Sequence, residues 1–394
     1  MKTPITLCVL LFASAGLLAQ SQPLYSVDAS WPAPMPNDLI LGQVSGIDVA
    51  PDNTIWVLHR PKTLARDEMG AVLEPVVSQC CNPAPAVLQF NQAGEILRAW
   101  GGPVWNRQSQ AWEQPAADWP MNEHGIFVDA QGYVWVGGNQ DAGGMHIVVK
   151  YTQEGAHVLT IGIPGETGGS NDTARLGRPA DIAVDTQANE VYVADGYLNR
   201  RVIVFDSNTG AYKRHWGAYG NIPSDRPQRV RSEDLSQELP EQFLGPVHAV
   251  VLGPDNLVYV ADRTANRIQV FSRAGEFINE TQVAPSTLAN GSAWDIAISP
   301  LDNSRLLLVA DGNNRKIWLL DRETLQGRGS FGQGGRQAGQ FDWLHNIAVD
   351  ADGNIYTAEV NNGRRIQKFT PGPGASVGAA TNASRDTDFA SATP

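Results

Sequence analysis

The stretch "HNIAVDADGNIYTA", residues 345–358, shows the unit from which the chain is built. A short apolar run leads into a turn of Asp and Gly and then into a second alternating run, which is typical of an antiparallel β-hairpin. Five other segments share this pattern: "SGIDVAPDNTIWVL" (45–58), "HGIFVDAQGYVWVG" (124–137), "ADIAVDTQANEVYVA" (180–194), "HAVVLGPDNLVYVA" (248–261) and "WDIAISPLDNSRLLLVA" (294–310). Such an internal repeat indicates a repeat architecture.

Further strands follow most of the hairpins. The segments "NRRVIVFD", "NRIQVFS", "RKIWLLD" and "RRIQKFT" each predict a third strand, and segments such as "AYKRHWG" predict a fourth after a glycine-bearing turn. Four strands in each of six units predict an all-β fold, a six-bladed β-propeller with four antiparallel strands per blade. We expect it to occupy residues 24–370 as one domain.

The two ends of the chain differ from this body. Residues 1–20 combine a lysine, a short apolar run and small residues, which predicts a signal peptide and a secreted or periplasmic protein. That run is too short to span a bilayer, and no later apolar segment is long enough, so we expect no membrane span. Residues 371–394, rich in Gly, Ala, Ser and Thr, are predicted to be a disordered tail.

Charge and cysteine content narrow the function classes. A net charge of −12 argues against nucleic-acid binding, because a phosphate-binding surface should be basic. Cys8 lies in the predicted signal peptide, which leaves the adjacent pair Cys80 and Cys81. An oxidising compartment favours a vicinal disulfide, whereas the short Cα spacing of about 3.8 Å between neighbours favours two free thiols. Both alternatives remain open.

One position near the start of each hairpin, here called the axial position, carries the main chemical signal. It is occupied, in blade order, by Ser45, His124, Ala180, His248, Trp294 and His345. First strands line the channel of a propeller, and alternate blades of six are about 120° apart, so we expect the three imidazoles to converge. Three imidazoles with an open fourth position predict a catalytic zinc site. The alternative is that each histidine only caps a strand or hydrogen-bonds a neighbouring loop.

Residues just after each second strand should surround the same mouth of the channel, because the start of strand one and the end of strand two share a face. Those positions supply Arg60, Tyr197 and Arg263 as candidate catalytic residues. Arginine beside a metal suits a substrate carboxylate, which its guanidinium can grip in two places. Tyr197 could transfer a proton or, alternatively, only orient the substrate by a hydrogen bond.

These residues resemble the peptidyl-α-hydroxyglycine α-amidating lyases, whose catalytic core is an NHL-repeat propeller of six blades with a three-histidine zinc. The resemblance spans most of residues 40–370 and is carried by "GQVSG" followed by "HR", by "HGIFVD", "ADGY" and "VADR", and by the final axial histidine. It implies zinc ligands at His124, His248 and His345, and active-site residues at Arg60, Tyr197 and Arg263.

The resemblance also implies a calcium ion in the channel. Its candidate ligands are the main-chain oxygens of Ile47 and Ile126 and a carboxylate at the position that Asn346 occupies here. An amide can still bind calcium but lacks the charge, so calcium is doubtful. The family's disulfides are missing as well, since Leu198 and Val270 stand where cysteines would be expected.

The implied reaction cleaves the C–N bond of a carbinolamide to give an amide and glyoxylate, on a small-molecule or peptide substrate that carries a carboxylate. One alternative is a non-enzymatic NHL propeller that binds a peptide, glycan or protein at the channel mouth. Another is a calcium-dependent hydrolase of the lactonase type, which would need acidic ligands at the axis. Asp48, Asp181 and Asp295 lie near the axial positions but form no acidic ring, and we expect them to bond neighbouring blades.

Overall fold

The computed structural model describes residues 24–113, 115, 119–140, 145–226, 239–373 and 375, and the strand at 389–391. Six sheets, each with at least four antiparallel strands, surround a central channel, and in five of them the strands follow chain order from the centre outwards. The alternation of apolar and polar residues in each hairpin fits this arrangement, because strands alternate side chains between two faces. The predicted six-bladed propeller is therefore confirmed.

The first half of the chain forms three blades. Strands β1 (Tyr25–Asp28) and β2 (Leu39–Ile40) precede them. Blade one contains β3 (Gln43–Val49), β4 (Ile55–Arg60), β6 (Val87–Phe90) and β7 (Ile96–Trp100), with β5 (Asn82–Pro83) paired in parallel to β2. A separate hairpin follows, formed by β8 (Val104–Asn106) and β9 (Ala111–Glu113). Blade two is β10 (Glu123–Val128), β11 (Val134–Gly138), β12 (Val148–Tyr151) and β13 (His157–Ile161), and blade three is β14 (Asp181–Asp185), β15 (Glu190–Asp195), β16 (Arg201–Asp206) and β17 (Tyr212–Trp216).

The second half of the chain forms the other three blades. Blade four is β18 (Val247–Leu252), β19 (Leu257–Asp262), β20 (Arg267–Ser272) and β21 (Phe277–Val283), and blade five is β22 (Asp295–Ser299), β23 (Leu306–Asp311), β24 (Lys316–Asp321) and β25 (Gly327–Phe331). Blade six contains β26 (Leu344–Val349), β27 (Ile355–Glu359) and β28 (Ile366–Pro371). The helical segments of the described residues are one short α-helix, Leu301–Ser304, and 3-10 turns at Pro36–Asp38, Pro61–Thr63, Arg66–Glu68, Gly70–Val72, Ala218–Gly220 and Arg263–Ala265.

The fourth strand of blade six comes from the other end of the chain. Strand β1 pairs antiparallel with β28, from Tyr25 opposite Pro371 to Asp28 opposite Lys368. The ring of Tyr25 stacks on Phe331 of blade five at 5.0 Å between ring centroids. The N-terminal strand therefore ties the start of the chain to the last blade and covers the edge that β28 would otherwise expose.

The hydrophobic core lies between blades. One cluster combines Trp135 and Val148 of blade two with Ile182 and Val191 of blade three, and the other interfaces repeat this arrangement. The tryptophans at 56, 135 and 318 are fully buried. Because each blade packs against two neighbours, the apolar faces of the sheets position the first strands around the channel.

Two arginines at the start of the third strands of blades three and four, Arg201 and Arg267, are fully buried. Arg201 pairs with Asp195 at 2.9 Å, and Arg267 pairs with Asp262 in the same place one blade later. The guanidinium of Arg201 also donates to the carbonyl oxygens of Ser170 and Arg175. This satisfied network ties the loop that enters blade three to the third strand of that blade.

Replacing Arg201 with Ala would leave the Asp195 carboxylate buried without a counter-charge. We expect the free energy of unfolding to fall by about 3–5 kcal/mol. Arg200→Ala, which removes the half-buried neighbour, should change it by only about 0.5 kcal/mol. Urea unfolding of the two variants tests this, and equal losses would contradict the assigned role of the buried pair.

Three aspartates connect neighbouring blades through backbone hydrogen bonds, as expected. The N–H groups of the next blade's first strand donate to their carboxylates in the pairs Val128 to Asp48 at 2.6 Å, Val250 to Asp181 at 2.9 Å and Ile347 to Asp295 at 2.8 Å. Burial raises the pKa of Asp48 and of Asp181 to about 7, and it raises the pKa of Asp295 well above its ordinary value. The native protein therefore binds protons here that the unfolded chain releases.

This proton binding makes stability depend on pH. Between the ordinary aspartate pKa of 3.8 and the native value of about 7, the free energy of unfolding should fall as pH rises. Asp48→Asn keeps an oxygen for the Val128 N–H without a charge. This substitution should reduce the fall in the free energy of unfolding across this pH range. The reduction should be about 1.4 kcal/mol for each unit by which the native pKa of Asp48 exceeds its ordinary value. Urea unfolding in chelator between about pH 4 and about pH 8 tests this, with exposed Asp52→Asn as the control. An unchanged slope in Asp48→Asn would contradict it.

Both chain ends are only partly described. The predicted signal peptide, residues 1–20, lies outside the described residues. Within the segment predicted to be a disordered tail, β29 (Phe389–Ser391) pairs antiparallel with β21, and most of the remaining tail lies outside the described residues. Across the described chain, no helix has the length and apolar character needed to cross a membrane.

Candidate metal centre

The axial histidines reach the channel because their strands are bulged. The pairing of first and second strands shifts register at His124, at His248 and at His345, so each histidine falls within an irregular step of the ladder. A bulge bends the strand and re-aims its side chain. After His124 the bend requires a glycine at position 125, because the φ angle of Gly125 is +77°. A Cβ atom on this residue would also lie only 2.7 Å from the carbonyl oxygen of Ala180.

The three imidazoles meet at the propeller axis. Ring centroids are 5.2 Å apart for His124 and His248, 4.8 Å for His124 and His345, and 5.0 Å for His248 and His345. One nitrogen from each ring lies within 4.8 Å of the others, and all three rings are buried. The sequence predicted this convergence from the alternation of axial residues.

Carbonyl oxygens of the odd blades fix the tautomer of two of these histidines. Nδ1–H of His124 donates to Ala180 at 2.7 Å, and Nδ1–H of His248 donates to Trp294 at 2.5 Å. A carbonyl oxygen can only accept, so Nδ1 carries the proton and Nε2 presents a lone pair. Ala180 and Trp294 occupy the axial positions of blades three and five, so these two blades each orient the histidine of the blade before them.

The third histidine is held differently. Nδ1 of His345 faces the side-chain oxygen of Asn346, while the amide nitrogen of Asn346 donates to Asp295 at 3.1 Å. Asn346, Ile47 and Ile126 line a channel cavity of about 280 Å³, together with Asp48 and Asp295. The side-chain oxygen of Asn346, which was expected to face a calcium ion, therefore faces Nδ1 of His345. The calcium site stays a prediction.

Tyr197 lies against two of the free ring nitrogens. Its hydroxyl oxygen is 3.0 Å from Nε2 of His124 and 3.0 Å from Nε2 of His248. One hydroxyl proton can serve only one of these nitrogens, so the second contact brings two lone pairs together. A cation among these atoms would relieve that repulsion.

The two candidate arginines flank this cluster. Arg60 donates from Nε to the carbonyl oxygen of Glu123 at 2.9 Å, and Arg263 donates from Nη1 to the Tyr197 hydroxyl at 3.3 Å. The Arg263 guanidinium also lies 4.2 Å from the ring centroid of Trp294, and its buried Nε has no hydrogen-bond partner within the described residues.

Burial keeps the three imidazoles neutral. It lowers the pKa of His345 to about 3 and the pKa values of His124 and His248 well below the usual range. The positive charges of Arg60 and Arg263 push these pKa values in the same direction. Neutral imidazole is the form that binds a metal, so the lone pairs remain available well below neutral pH.

The residues present therefore fit a metal ion. Three neutral imidazole nitrogens converge with their outer nitrogens already hydrogen-bonded, which is the second shell expected around a histidine-bound metal. Three protein ligands leave a position for water or substrate, as in catalytic sites. Imidazole suits zinc, copper, iron and nickel, so the geometry by itself assigns a metal site and not its element.

Arg178 joins this cluster although the sequence did not single it out. Its guanidinium lies 5.3 Å from the Tyr197 ring centroid, and its carbonyl oxygen accepts the Tyr197 N–H at 3.2 Å. The sequence feature that could have identified Arg178 is its position two residues before Ala180, the axial residue of blade three. Elsewhere, Cys80 and Cys81 lie at the edge of a separate surface cavity with their sulfur atoms next to each other, and the vicinal disulfide stays a prediction.

Comparisons with known proteins agree with this architecture. Residues 243–271 match the NHL repeat. The chain is 26% identical to peptidyl-α-hydroxyglycine α-amidating lyase 1 of Drosophila melanogaster over 89% of its own length, and it spans 61% of that protein. It is 27% identical to a probable peptidyl-α-hydroxyglycine α-amidating lyase of Caenorhabditis elegans, over 83% of this chain and 82% of the other.

A third relative carries no enzyme name. NHL repeat-containing protein 3 of Mus musculus is 27% identical over 82% of this chain and 82% of its own. The resemblance to NHL-repeat propellers of the amidating-lyase kind is thus confirmed over most of the chain. The chain covers less than two thirds of the fly lyase, so the activity of that whole protein does not transfer directly.

The metal centre makes a direct prediction about composition. The purified protein should contain about one transition-metal ion per chain, because three imidazoles form one site. His248→Ala removes one of the three ligands and should lose the ion, whereas His157→Ala, on exposed strand β13, should retain it. Plasma emission spectrometry measures all three proteins. Metal retained by His248→Ala would contradict the three-histidine site.

Proposed function

We propose that the chain is a zinc-dependent carbon–nitrogen lyase that cleaves a carbinolamide to an amide and glyoxylate, the reaction of the peptidyl-α-hydroxyglycine α-amidating type. The observation that carries the proposal is the convergence of three imidazole lone pairs beside Tyr197, Arg60 and Arg263. The similarity to proteins named as such lyases supports it. Zinc, when bound, supplies Lewis-acid chemistry that makes a hydroxyl proton easier to remove.

The arginines bind the substrate carboxylate. The Arg60 guanidinium is anchored through Nε to the Glu123 carbonyl, and its other hydrogen bond within the described residues is a long one of 3.4 Å from Nη1 to Gln43. Its terminal nitrogens are therefore available for a bidentate contact. Arg263 adds a second cation, whose Nη1 donates to the Tyr197 hydroxyl at 3.3 Å. These contacts would hold the reacting carbon beside the Tyr197 hydroxyl.

Tyr197 moves the proton. Removal of the substrate hydroxyl proton lets the C–O bond become the aldehyde carbonyl of glyoxylate, while the electron pair of the C–N bond leaves with the amide nitrogen. That nitrogen needs one proton, so one proton taken and one returned balance the reaction. The Tyr197 hydroxyl is the atom at which this proton would be taken and returned, because it lies 3.0 Å from Nε2 of His124 and of His248 and accepts a hydrogen bond from the Arg263 guanidinium.

Tyr197→Phe tests the catalytic role without removing a metal ligand. We expect a fall in kcat of about 100-fold or more for glyoxylate release from N-benzoyl-α-hydroxyglycine, because the proton transfer is lost. Metal content should stay the same. Tyr212→Phe, an exposed tyrosine on β17, is the matched control and should keep full activity. Full activity in Tyr197→Phe would refute the proton-transfer role, and no glyoxylate from metal-loaded wild type would refute the lyase.

A non-enzymatic binding propeller is the second candidate function. The similarity to NHL repeat-containing protein 3 over most of both chains favours it, since that name records repeats and no reaction. In that case the channel mouth would dock a peptide, glycan or protein. Purified protein without stoichiometric metal and without glyoxylate release would support this candidate over the lyase.

A further inference from the structure

Packing between blades explains only part of the position of Trp343. This residue lies two positions before His345, in the loop that leads into strand β26 (Leu344–Val349). Because first strands begin at the face where second strands end, this loop borders the mouth of the channel. The tryptophans of the core between blades, such as Trp135, are fully buried, whereas Trp343 is half-buried. Part of the Trp343 side chain therefore stays exposed at the mouth.

Aromatic contacts connect Trp343 to the metal centre. Its ring packs edge to face against the ring of Trp294, with 5.8 Å between the ring centroids. The buried ring of Trp294 in turn lies 5.4 Å from the ring of His248 and 5.7 Å from the ring of His345. Trp343 is therefore only one side chain away from two of the three axial imidazoles.

The same contacts place Trp343 near the arginine that holds the substrate carboxylate in the proposed reaction. The Arg263 guanidinium lies 4.2 Å from the ring centroid of Trp294, on which Trp343 packs. The three converging imidazoles occupy the channel axis, so a substrate anchored at Arg263 has no room to extend inwards. The acyl group on its amide nitrogen must extend outwards, towards the mouth that Trp343 borders.

The backbone of Trp343 is held firmly at this place. Its N–H donates to the Glu359 carboxylate at 3.4 Å, and its carbonyl oxygen accepts the Val360 N–H at 3.1 Å. Glu359 is itself fully buried, accepts the Asp342 N–H at 2.7 Å and pairs with Arg365 at 2.6 Å. A tryptophan held in this way offers a large apolar surface to a ligand at a low cost in conformational entropy.

We propose that Trp343, with Trp294 as its inner neighbour, forms an aromatic subsite that binds the acyl group of the substrate. This inference rests on the proposed lyase function and narrows its substrate class to α-hydroxyglycine amides whose acyl group carries an aromatic ring. The substrate ring buries apolar surface against the exposed part of Trp343, and the contact between the two rings adds to that burial. Trp343 determines specificity and takes no part in proton transfer.

Two substrates that differ by one ring test the subsite. N-phenylacetyl-α-hydroxyglycine adds a ring to N-acetyl-α-hydroxyglycine, and its CH₂ group insulates the amide from that ring. Wild type should show a kcat/KM about 10-fold or more higher for the phenylacetyl compound, mainly through a lower KM. Trp343→Leu should reduce this preference to about 3-fold or less, and Trp343→Phe, which keeps a ring, should retain most of it. Trp112→Leu is the matched control, because Trp112 is also half-buried and packs edge to face against Trp105.

A binding measurement separates this inference from the lyase proposal. Calorimetry with the unreactive N-phenylacetylglycine and N-acetylglycine should give the same preference of about 10-fold in wild type and its loss in Trp343→Leu, at unchanged metal content. Equal Kd values for the two compounds in wild type, or a preference that Trp343→Leu retains, would overturn the inference while glyoxylate release upheld the lyase. Tighter binding of the phenylacetyl compound without glyoxylate from either substrate would uphold the aromatic subsite and overturn the lyase.

Discussion

Mutual repulsion among three imidazole lone pairs is the constraint on which the site depends. His124, His248 and His345 present unprotonated nitrogens to one another in a buried channel, which no isolated hairpin could maintain. The propeller maintains it because packing between blades fixes the first strands and because each outer ring nitrogen is already hydrogen-bonded. A metal ion held by these three nitrogens would relieve the repulsion and stabilise the arrangement.

Local patterns were enough to predict the fold and the histidines. A hairpin is a local structure, its alternation can be read from adjacent residues, and six copies imply a ring. The alternation of histidine with other residues at the axial position then determines that the imidazoles lie on every second blade. The second-strand ends gave Arg60, Tyr197 and Arg263 for the same reason, since strand direction decides which face they share.

Features that depend on distant partners were not predictable. Strand β1 pairs with β28 across almost the whole chain, and four residues such as "YSVD" contain no information about that partner. The burial of Arg201 depends on carbonyl oxygens from a preceding loop. Arg178 reaches the site through a left-handed backbone conformation, which a sequence pattern does not favour for arginine before proline. The roles of Ala180 and Trp294 come from main-chain oxygens, which every residue type has.

The proposed chemistry depends on the three-histidine metal site, where Tyr197 meets the histidines. Anomalous X-ray diffraction from crystals of the purified protein, recorded on both sides of the zinc absorption edge, tests this site most directly. We predict one strong anomalous peak at the propeller axis, bonded to Nε2 of His124, His248 and His345. An axis without an anomalous peak, or a metal bound away from these three nitrogens, would contradict it.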